Sequence, residues 1–593
     1  MGKTTTNPFA GYRVAMPVAV SFMLMPSLVF AQTEEQVVSI RKVSDFKTLN
    51  FLKQDFKKNT LSISDLKTLA KKKNIPFSGT IENKYYELRG FETKTGKPLY
   101  YVTYNKGAGQ GTLTDRLHSD AGIFNLEGED MVVYEWDGGK VLLTHQEFGG
   151  RVTQGDDATG VNSHATHVAG TMVASGVDGN AKGMAPKAKL VAHDWNNDMT
   201  EMIAAAEKGA LISNHSYGFA GAFEWGDWSG ATGWHWLGDD EETEYRFYGK
   251  YTTEDRKWDV FTLGAPHYLP VKAAGNPRGD GPEAGGLHYV RVKDANGDYV
   301  WTTSTKVRQK NGGALGYDTI LHGALAKNIL TVGAAQKISG GYTQPTDVQM
   351  ASFSGYGPVD DGRIKPDITG VGVSIYSTGT ANTTYDTMSG TSMASPNVTG
   401  SLLLLQELYK NKNNGAFMRA ATLKALAIAT ANEAGANDGP DYASGWGLLN
   451  AYKAATAISL RDKTSLIEEK TLQNGNTDTI QVTAANNEPL VVTIAWADPI
   501  SKTLPSESTL NERTKTLVND LDLRIVDTNG TEYLPWKLDP ANPNNAATKA
   551  DNTVDNVEQV VIKNPVAGQT YTIKVSHKDT LKKNTVVDGT IDL

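Results

Sequence analysis

Cysteine is absent from all 593 residues. Its absence excludes disulfide bonding, thiolate catalysis, Cys-ligated zinc and a lipid anchor on an N-terminal Cys. An excess of positive charge is missing too. The formal net charge is −8 at pH 7 and no basic stripe interrupts the chain, so nothing electrostatic draws it to nucleic acid or to an anionic membrane. Beyond the N-terminal region no run is apolar enough to span a bilayer. What remains is the composition of a folded globular protein, too long for one ordinary core, so two or more domains plus processed segments are expected.

Lys3 and Arg13 precede an apolar stretch, Val14–Phe30, that closes with Val29-Phe30-Ala31 before the polar Gln32. This is the pattern of a signal peptide, residues 1–31, cut after Ala31. A retained membrane anchor is the lesser alternative, because Pro17 and Pro26 interrupt the stretch and no charged stop-transfer flank follows. The expected location is therefore secreted or extracellular, including periplasm or cell surface. Without disulfides, robustness there must come from packing and from any bound ions.

Residues 32–105 combine lysine-rich amphipathic stretches such as Ser64–Ala70 with the strand-like Pro98–Tyr104, which reads as a small α+β domain. The stretch from Tyr104 to Gly111, with Gly107, Gly109 and Gly111, is an accessible place for cleavage. In the next domain, 106–458, apolar strands alternate with helical patterns from about 131. They include Met131–Tyr134, Leu190–Ala192, the helix Met199–Ala210, Leu211–Ser213, Val271–Ala274 and Ile329–Val332. Such alternation predicts an α/β fold, a doubly wound parallel sheet with ligands at the carboxyl ends of its strands. Residues 459–593 change to short alternating strands with turns such as Asn529-Gly530, as in a β-sandwich.

Ser389-Gly390-Thr391-Ser392-Met393-Ala394-Ser395-Pro396 leads into the apolar helix through Leu402–Leu405. A serine at the start of a buried helix has free backbone N–H groups and the positive dipole end beside it, which favour an oxyanion. Taken alone, Ser392 is better explained as a helix cap. Asn162–Thr171 supplies an imidazole, His164, at the start of another small-residue helix, and His is suited to take a proton from a hydroxyl near neutral pH. His164 and His167 do not make a zinc site, since Ala165 stands where a zinc-peptidase helix needs Glu and the spacing is three rather than four. His167 is read as structural. Asp137 follows a buried strand and precedes two glycines, where a carboxylate can orient the histidine, although alone it reads as a turn residue. Glu135 competes weakly for that role. Asn276, ending Ala273-Ala274-Gly275-Asn276 at another strand end, could donate to an oxyanion, although alone before Pro277 it reads as a turn former.

With the order Asp, His, Asn, Ser in hand, the chain resembles the subtilase family of subtilisin-like serine peptidases over roughly 131–458. Ser163–Gly170 looks like its histidine block and Gly390–Pro396 like its serine block. Gly183–Pro186, Asn214–Gly218, Ala351–Ser354 and Gly445–Asn450 lie in family order. The resemblance implies Asp137, His164 and Ser392 as catalytic residues, and Asn276 with Ser392 as the oxyanion hole. It implies that Ser216, Tyr217 and Gly218 pair with the substrate backbone, while Ala273, Ala274 and Gly275 line the pocket before the scissile bond. Two positions depart from the family pattern, Ala165 for a glycine and Gly138 for a serine or threonine. The resemblance further implies protein or peptide substrates, a zymogen inhibited by its own propeptide over 32–105, and a C-terminal module similar to the P domain of proprotein convertases. A monomer is expected. No cofactor is required for the chemistry. Structural calcium is a family trait for which the sequence names no ligands.

Two alternatives are carried. The first is a catalytically inactive subtilase-fold binding or adhesion protein. The second is an α/β-hydrolase esterase, disfavoured because Ala394 fills the last glycine position of its serine motif and His577 is the only histidine after Ser392. The aromatic, acidic insertion Phe223–Trp258 is expected either to wall the cleft, steering basic substrates, or to pack on its own rings. Asp294–Asp298 is read as a hairpin turn rather than a calcium loop, since its glycine is fourth rather than sixth.

Overall fold

A computed structural model describes residues 32–59, 61–73, 75–81, 84–91, 98–103, 110–338, 341–485, 488–583, 585–587 and 590–592. The expected signal peptide and residues 104–109 of the expected cleavage stretch lie outside the described residues.

The N-terminal segment carries helices α1 (Glu34–Lys42), α2 (Phe46–Asn59) and α3 (Ile63–Lys72), then strands β1 (Ser78–Ile81), β2 (Lys84–Phe91) and β3 (Pro98–Thr103). Thr33 starts α1 with a capping box and Ser62 caps α3 by accepting the N–H of Asp65. This α+β unit is followed by a parallel sheet of seven strands. In chain order they are β4 (Val132–Asp137), β5 (Val152–Gln154), β6 (Lys189–Asp194), β7 (Ile212–His215), β11 (Leu269–Ala273), β14 (Leu330–Ala335) and β15 (Ile368–Val371), arranged β15-β14-β11-β7-β4-β6-β5. The apolar runs read from the sequence supply these strands, as burial on both faces requires.

Two helices cover one face: α4 (Ser163–Val173) and the 22-residue α7 (Thr391–Lys412), whose residues are buried from Thr391 to Tyr409. Leu402–Leu405 and Val398 of α7 meet Val133, Val271 and Val332 in the main core. Close approach needs a missing side chain, because a Cβ on Gly370 would lie 2.7 Å from the carbonyl oxygen of Ala394. On the other face Trp136 donates to Glu201 of α5 (Asp198–Glu207), and His215 packs edge-on against Trp258 of α6 (Thr253–Gly264).

Between β7 and β14 lies the aromatic insertion. Strand β8 (Tyr217–Phe219) is followed by β9 (Phe223–Asp227) and β10 (Thr232–Trp236), which join β12 (His288–Lys293) and β13 (Tyr299–Ser304) in a second sheet ordered β13-β12-β10-β9. The insertion is thus sheet, not an irregular loop, and Asp294–Asp298 is the turn of the β12–β13 hairpin, its Asp294 carboxylate accepting the N–H groups of Asn296 and Asp298. The acidic run is balanced in part by basic partners. Asp239 and Glu242 pair with Arg246, Asp240 with Arg308 and Glu241 with Lys306.

A hairpin of β16 (Ile375–Thr378) and β17 (Tyr385–Met388) delivers the chain to α7, and helices α8 (Ala420–Thr430) and α9 (Ala451–Ser459) complete this region. Past residue 459 the strands are β18 (Asp478–Thr483), β19 (Leu490–Ala495), β20 (Leu521–Val526), β21 (Glu532–Tyr533), β22 (Trp536–Lys537), β23 (Thr548–Lys549), β24 (Val557–Ile562) and β25 (Thr570–His577). The β18-β25-β20-β21 sheet and the β19–β24 pair share an apolar core of Leu523, Ile525, Val560, Tyr571 and Ile573. A second cluster joins Trp536, Leu538 and Val557 to Ile364, Ile428, Tyr442 and Trp446, so this region is continuous in packing with the α/β sheet.

Candidate active site

All six residues of β4 are buried, ending in Asp137 at the carboxyl end of the sheet. The chain then turns through Gly138 and Gly139. Gly139 has φ 153°, and a Cβ there would lie 3.1 Å from that of Asn162 and 3.2 Å from the Gly160 carbonyl oxygen, so the turn depends on glycine. Asn162 uses the space. Its Oδ1 accepts the N–H groups of His164 at 2.8 Å and Ala165 at 3.0 Å, while its amide donates to the Gly138 carbonyl at 3.1 Å. One side chain thereby caps α4 and ties that helix to the end of β4.

This frame brings His164 Nδ1 within 2.6 Å of Asp137 Oδ1, with both residues buried. The same carboxylate oxygen accepts the Gly138 N–H at 2.6 Å. Because a carboxylate only accepts, the proton of this bond sits on Nδ1, and Nε2 is the nitrogen left to act as a base. Neither departure from the family pattern disturbs the pair, since Gly138 contributes through its backbone and Ala165 is fully buried in the main core. His167 bonds the Ile375 carbonyl at 3.1 Å, and burial pushes it down to about 3, so it is a neutral packing residue. Glu135 faces the same side of the sheet as Asp137. It is fully buried with no partner for either carboxyl oxygen among the described residues, and burial, then the charge of Asp137, push it well above the usual carboxylate range. A neutral acid of this kind does not compete with Asp137 as the anion.

Ser392 occupies the first turn of α7, after Gly390. Thr391 directs both its N–H and its hydroxyl to Asn276 Oδ1, at 2.9 and 2.8 Å. That consumes the oxygen end of the amide and leaves the Asn276 NH2 as its donor end. Ser392 and Ser216 bond each other reciprocally. The Ser392 hydroxyl donates to the Ser216 carbonyl at 2.8 Å, and the Ser216 hydroxyl donates to the Ser392 carbonyl at 2.7 Å.

Of the other expected site residues, Tyr217 is fully buried and its hydroxyl donates to Asp198 at 2.9 Å, so only its backbone can meet a ligand. Gly218 is half-buried with nothing within 4 Å of a Cβ position. Ala273 and Ala274 are buried, whereas Gly275, at φ 94°, is half-buried and donates its N–H to Thr391 Oγ1 at 3.1 Å. Strand β8 pairs antiparallel with β3, with Thr103 opposite Tyr217, Val102 opposite Gly218 and Tyr101 opposite Phe219. Sequence reasoning passed over Asn162 and Thr391, although a capping-type residue just before Ser163-His164 was a signal for the first.

Among the described residues no three His, Asp or Glu side chains are grouped to hold a metal ion. Buried ammonium groups fill comparable cages. Lys424 donates to the carbonyls of Lys327 at 3.0 Å and Ile329 at 2.9 Å and pairs with Asp367 at 2.8 Å. No helix among the described residues is long and apolar enough to cross a membrane.

Residues 139–447, just over half of the chain, match the model of the Subtilase family. His164, Asn276 and Ser392 fall inside the match and Asp137 lies two residues before it. Over 83 residues the chain is 46% identical to the PII-type proteinase of Lactococcus lactis subsp. cremoris, which covers 14% of this chain and 4% of that protein. It is 34% identical over 144 residues to the C5a peptidase of Streptococcus pyogenes, covering 23% of this chain and 12% of that one. Each shared stretch is a small part of the relative's own length. Among solved structures, fervidolysin from Fervidobacterium pennivorans aligns at 19% identity with a TM-score of 0.36, over 76% of this chain and 53% of that one. The prenylagaramide maturation protease PagA aligns at 20% identity and the same TM-score of 0.36, over 55% of this chain and 93% of its own. By the extent of the family match, and with its parallel sheet and order of site residues, the chain belongs to the subtilase family.

Proposed function

We propose that the chain is an exported serine endopeptidase that cuts proteins through Asp137, His164 and Ser392 and is made as a zymogen. The observation that carries this reading is the buried 2.6 Å bond between Asp137 and His164, at the same end of the sheet as Asn276 and the start of α7. An acyl-transfer site needs a nucleophile, a base with its orienting group, and donors for the developing oxyanion.

A substrate lying along Ser216–Gly218 presents a backbone N–H to the Ser216 carbonyl, the acceptor that the Ser392 hydroxyl uses at 2.8 Å. Displaced, the hydroxyl turns to His164 Nε2. Ser392 Oγ then attacks the peptide carbonyl as its proton passes to Nε2, and Asp137 stabilises the imidazolium without taking the proton. The carbonyl oxygen becomes an anion facing the Ser392 N–H and the Asn276 NH2. On collapse the C–N bond breaks, the imidazolium gives its proton to the leaving amine, and water repeats the sequence to release the acid and regenerate Ser392.

Residues 32–105 act as the inhibitor in this scheme, because β3 lies along the strand a substrate would use. The cut is expected in the stretch from Tyr104 to Gly111 that follows β3. Two expectations lie outside the described residues: export on residues 1–31, and the exact processing point. The test is to incubate purified wild-type and Ser392→Ala precursors, label both with a fluorophosphonate, and sequence the new N-termini. Labelling and processing of the wild type alone support the reading. Equal processing of both, with no labelling of either, refutes it.

A further inference from the structure

Lys272 is the last residue but one of buried strand β11, four residues before Asn276, and is 3% exposed. A buried ammonium is expensive unless it is paired. Among the described residues no carboxylate lies within ion-pair distance of this one. Its single hydrogen bond goes to the carbonyl oxygen of Tyr217, at 3.0 Å. The rest of its coordination is aromatic, with Nζ 4.1 Å from the ring centroid of Tyr217 and 4.9 Å from that of Trp258. These are cation–π distances.

The bonded carbonyl matters because of its place in the strand. Successive carbonyls of an extended strand face opposite sides. With that of Tyr217 turned back toward Lys272, those of Ser216 and Gly218 face the side along which β3 pairs. A cation on the Tyr217 oxygen also polarises the peptide linking Tyr217 to Gly218, which makes the Gly218 N–H a stronger donor.

From this geometry we infer that Lys272 is a positioning residue, whose ammonium holds strand β8 from behind in the conformation that pairs with extended peptide. This rests on the reading of Ser216–Gly218 as the substrate strand. Lys272 touches no reacting atom, so its contribution falls on the binding of peptides long enough to lie along β8 and not on bond cleavage at Ser392.

The same contacts make it sensitive to pH. Burial lowers Lys272 to about 8, opposed by the more distant charges of Asp198 and Asp255. The other groups facing it are His215 of β7, the Tyr217 hydroxyl, and Trp258 of α6. Burial, then the charge of Lys272, hold His215 well below its ordinary value, so it stays neutral. Asp255, pushed up to about 7 by burial, ionises in an adjoining range. A Lys272 variant measured under the same conditions separates the two, because the Asp255 step remains when Lys272 is gone.

The experiment uses the full chain after processing, with a tetrapeptide p-nitroanilide and a single-residue p-nitrophenyl ester too short to reach Gly218. For Lys272→Met, KM for the tetrapeptide should rise about tenfold with kcat held within about twofold, a loss of about 1.4 kcal/mol in binding. In the wild type, KM for the tetrapeptide should rise as pH passes about 8, the value to which burial lowers Lys272, and that rise should vanish in Lys272→Met. Lys272→Gln, which keeps a donor without the charge, should recover part of the loss but none of the pH dependence. Equal losses on ester and peptide, a fall confined to kcat, or an alkaline rise persisting in Lys272→Met overturns the role. Should the variants fail to fold, the wild-type profile still decides, because a flat tetrapeptide KM from pH 7 to 9.5 rejects it. Fluorophosphonate labelling of Ser392 in the wild type keeps this outcome distinct from failure of the peptidase reading itself.

Discussion

Lys327 is the sharpest place to ask whether residues 459–593 are a separable appendage. Its ammonium is fully buried and reaches out of the α/β region to the Asp498 carboxylate, the Pro499 carbonyl and the Thr516 carbonyl. Asp498 in turn accepts the N–H groups of Val518 and Asn519, at 2.9 and 2.7 Å, and the adjacent Asn328 exchanges bonds of 2.8 and 2.9 Å with the Asp498 backbone. Lys327→Met fills the volume but leaves a buried carboxylate without its cation, a change that destabilises by about 3–5 kcal/mol. With a urea m-value of about 3 kcal/mol/M, the unfolding midpoint should fall by about 1–2 M. Asp498→Asn should cost a comparable amount, and the double variant should cost less than the sum of the singles, since both remove the same pair. The assay is urea unfolding followed by tryptophan fluorescence, with Ser392 labelling read in parallel. A midpoint change below about 0.3 M, or a chain ending at 458 that stays folded and labels at the wild-type rate, would refute the argument.

Other outcomes follow from the site. Asn276→Ala should lower kcat about 10²–10³-fold with little change in KM, the effect known for the corresponding asparagine of subtilisin. Asn162→Ala removes the cap of α4 and the tether to Gly138, so it should destabilise by about 1 kcal/mol and lower kcat/KM on peptide and ester alike. Thermal unfolding and steady-state kinetics check the two parts. Glu135→Leu should stabilise by about 1–3 kcal/mol near neutral pH by removing unpaired buried oxygens. The pH dependence is fixed by its raised folded value: the ionisation part of the penalty is absent below the unfolded value near 4.5 and grows as pH rises above it. The gap between the urea midpoints of wild type and Glu135→Leu should therefore be narrowest toward pH 4, where only the unpaired oxygens of the neutral acid cost, and widen toward pH 7.

The parallel sheet was legible because burial on both faces makes its strands continuous apolar runs, and Val132–Asp137 and Leu330–Ala335 are wholly buried in the fold. The strand-end positions of Asp137 and Asn276 and the helix-start positions of His164 and Ser392 were legible from their small and glycine neighbours, but each alone reads as a cap or turn, and their proposed roles came from the resemblance. What escaped was set by distant partners. The insertion after Phe223 becomes a sheet only because β10 pairs in parallel with β12, whose first residue lies some fifty positions later, and no local period announces that. The acids at Asp239–Glu242 are balanced in part by Lys306 and Arg308, again far along the chain. Glu135 and Lys272 break apolar strands and read as blemishes in the pattern. Only the neighbours in space show one to be an unpartnered acid and the other a cation seated on a carbonyl.

Strand β8 is three residues long, Tyr217–Phe219. If residues 32–105 are removed as proposed, the backbone groups of β8 that pair with β3 are left unpaired, the condition under which sheets recruit other molecules and polymerise. So short a stretch offers too few bonds to hold a second copy against the loss of its free motion. It still suffices for a passing peptide that is also gripped near Ser392. In the proposed scheme the brevity of β8 thus admits a peptide held elsewhere as well, while disfavouring pairing between copies of the chain.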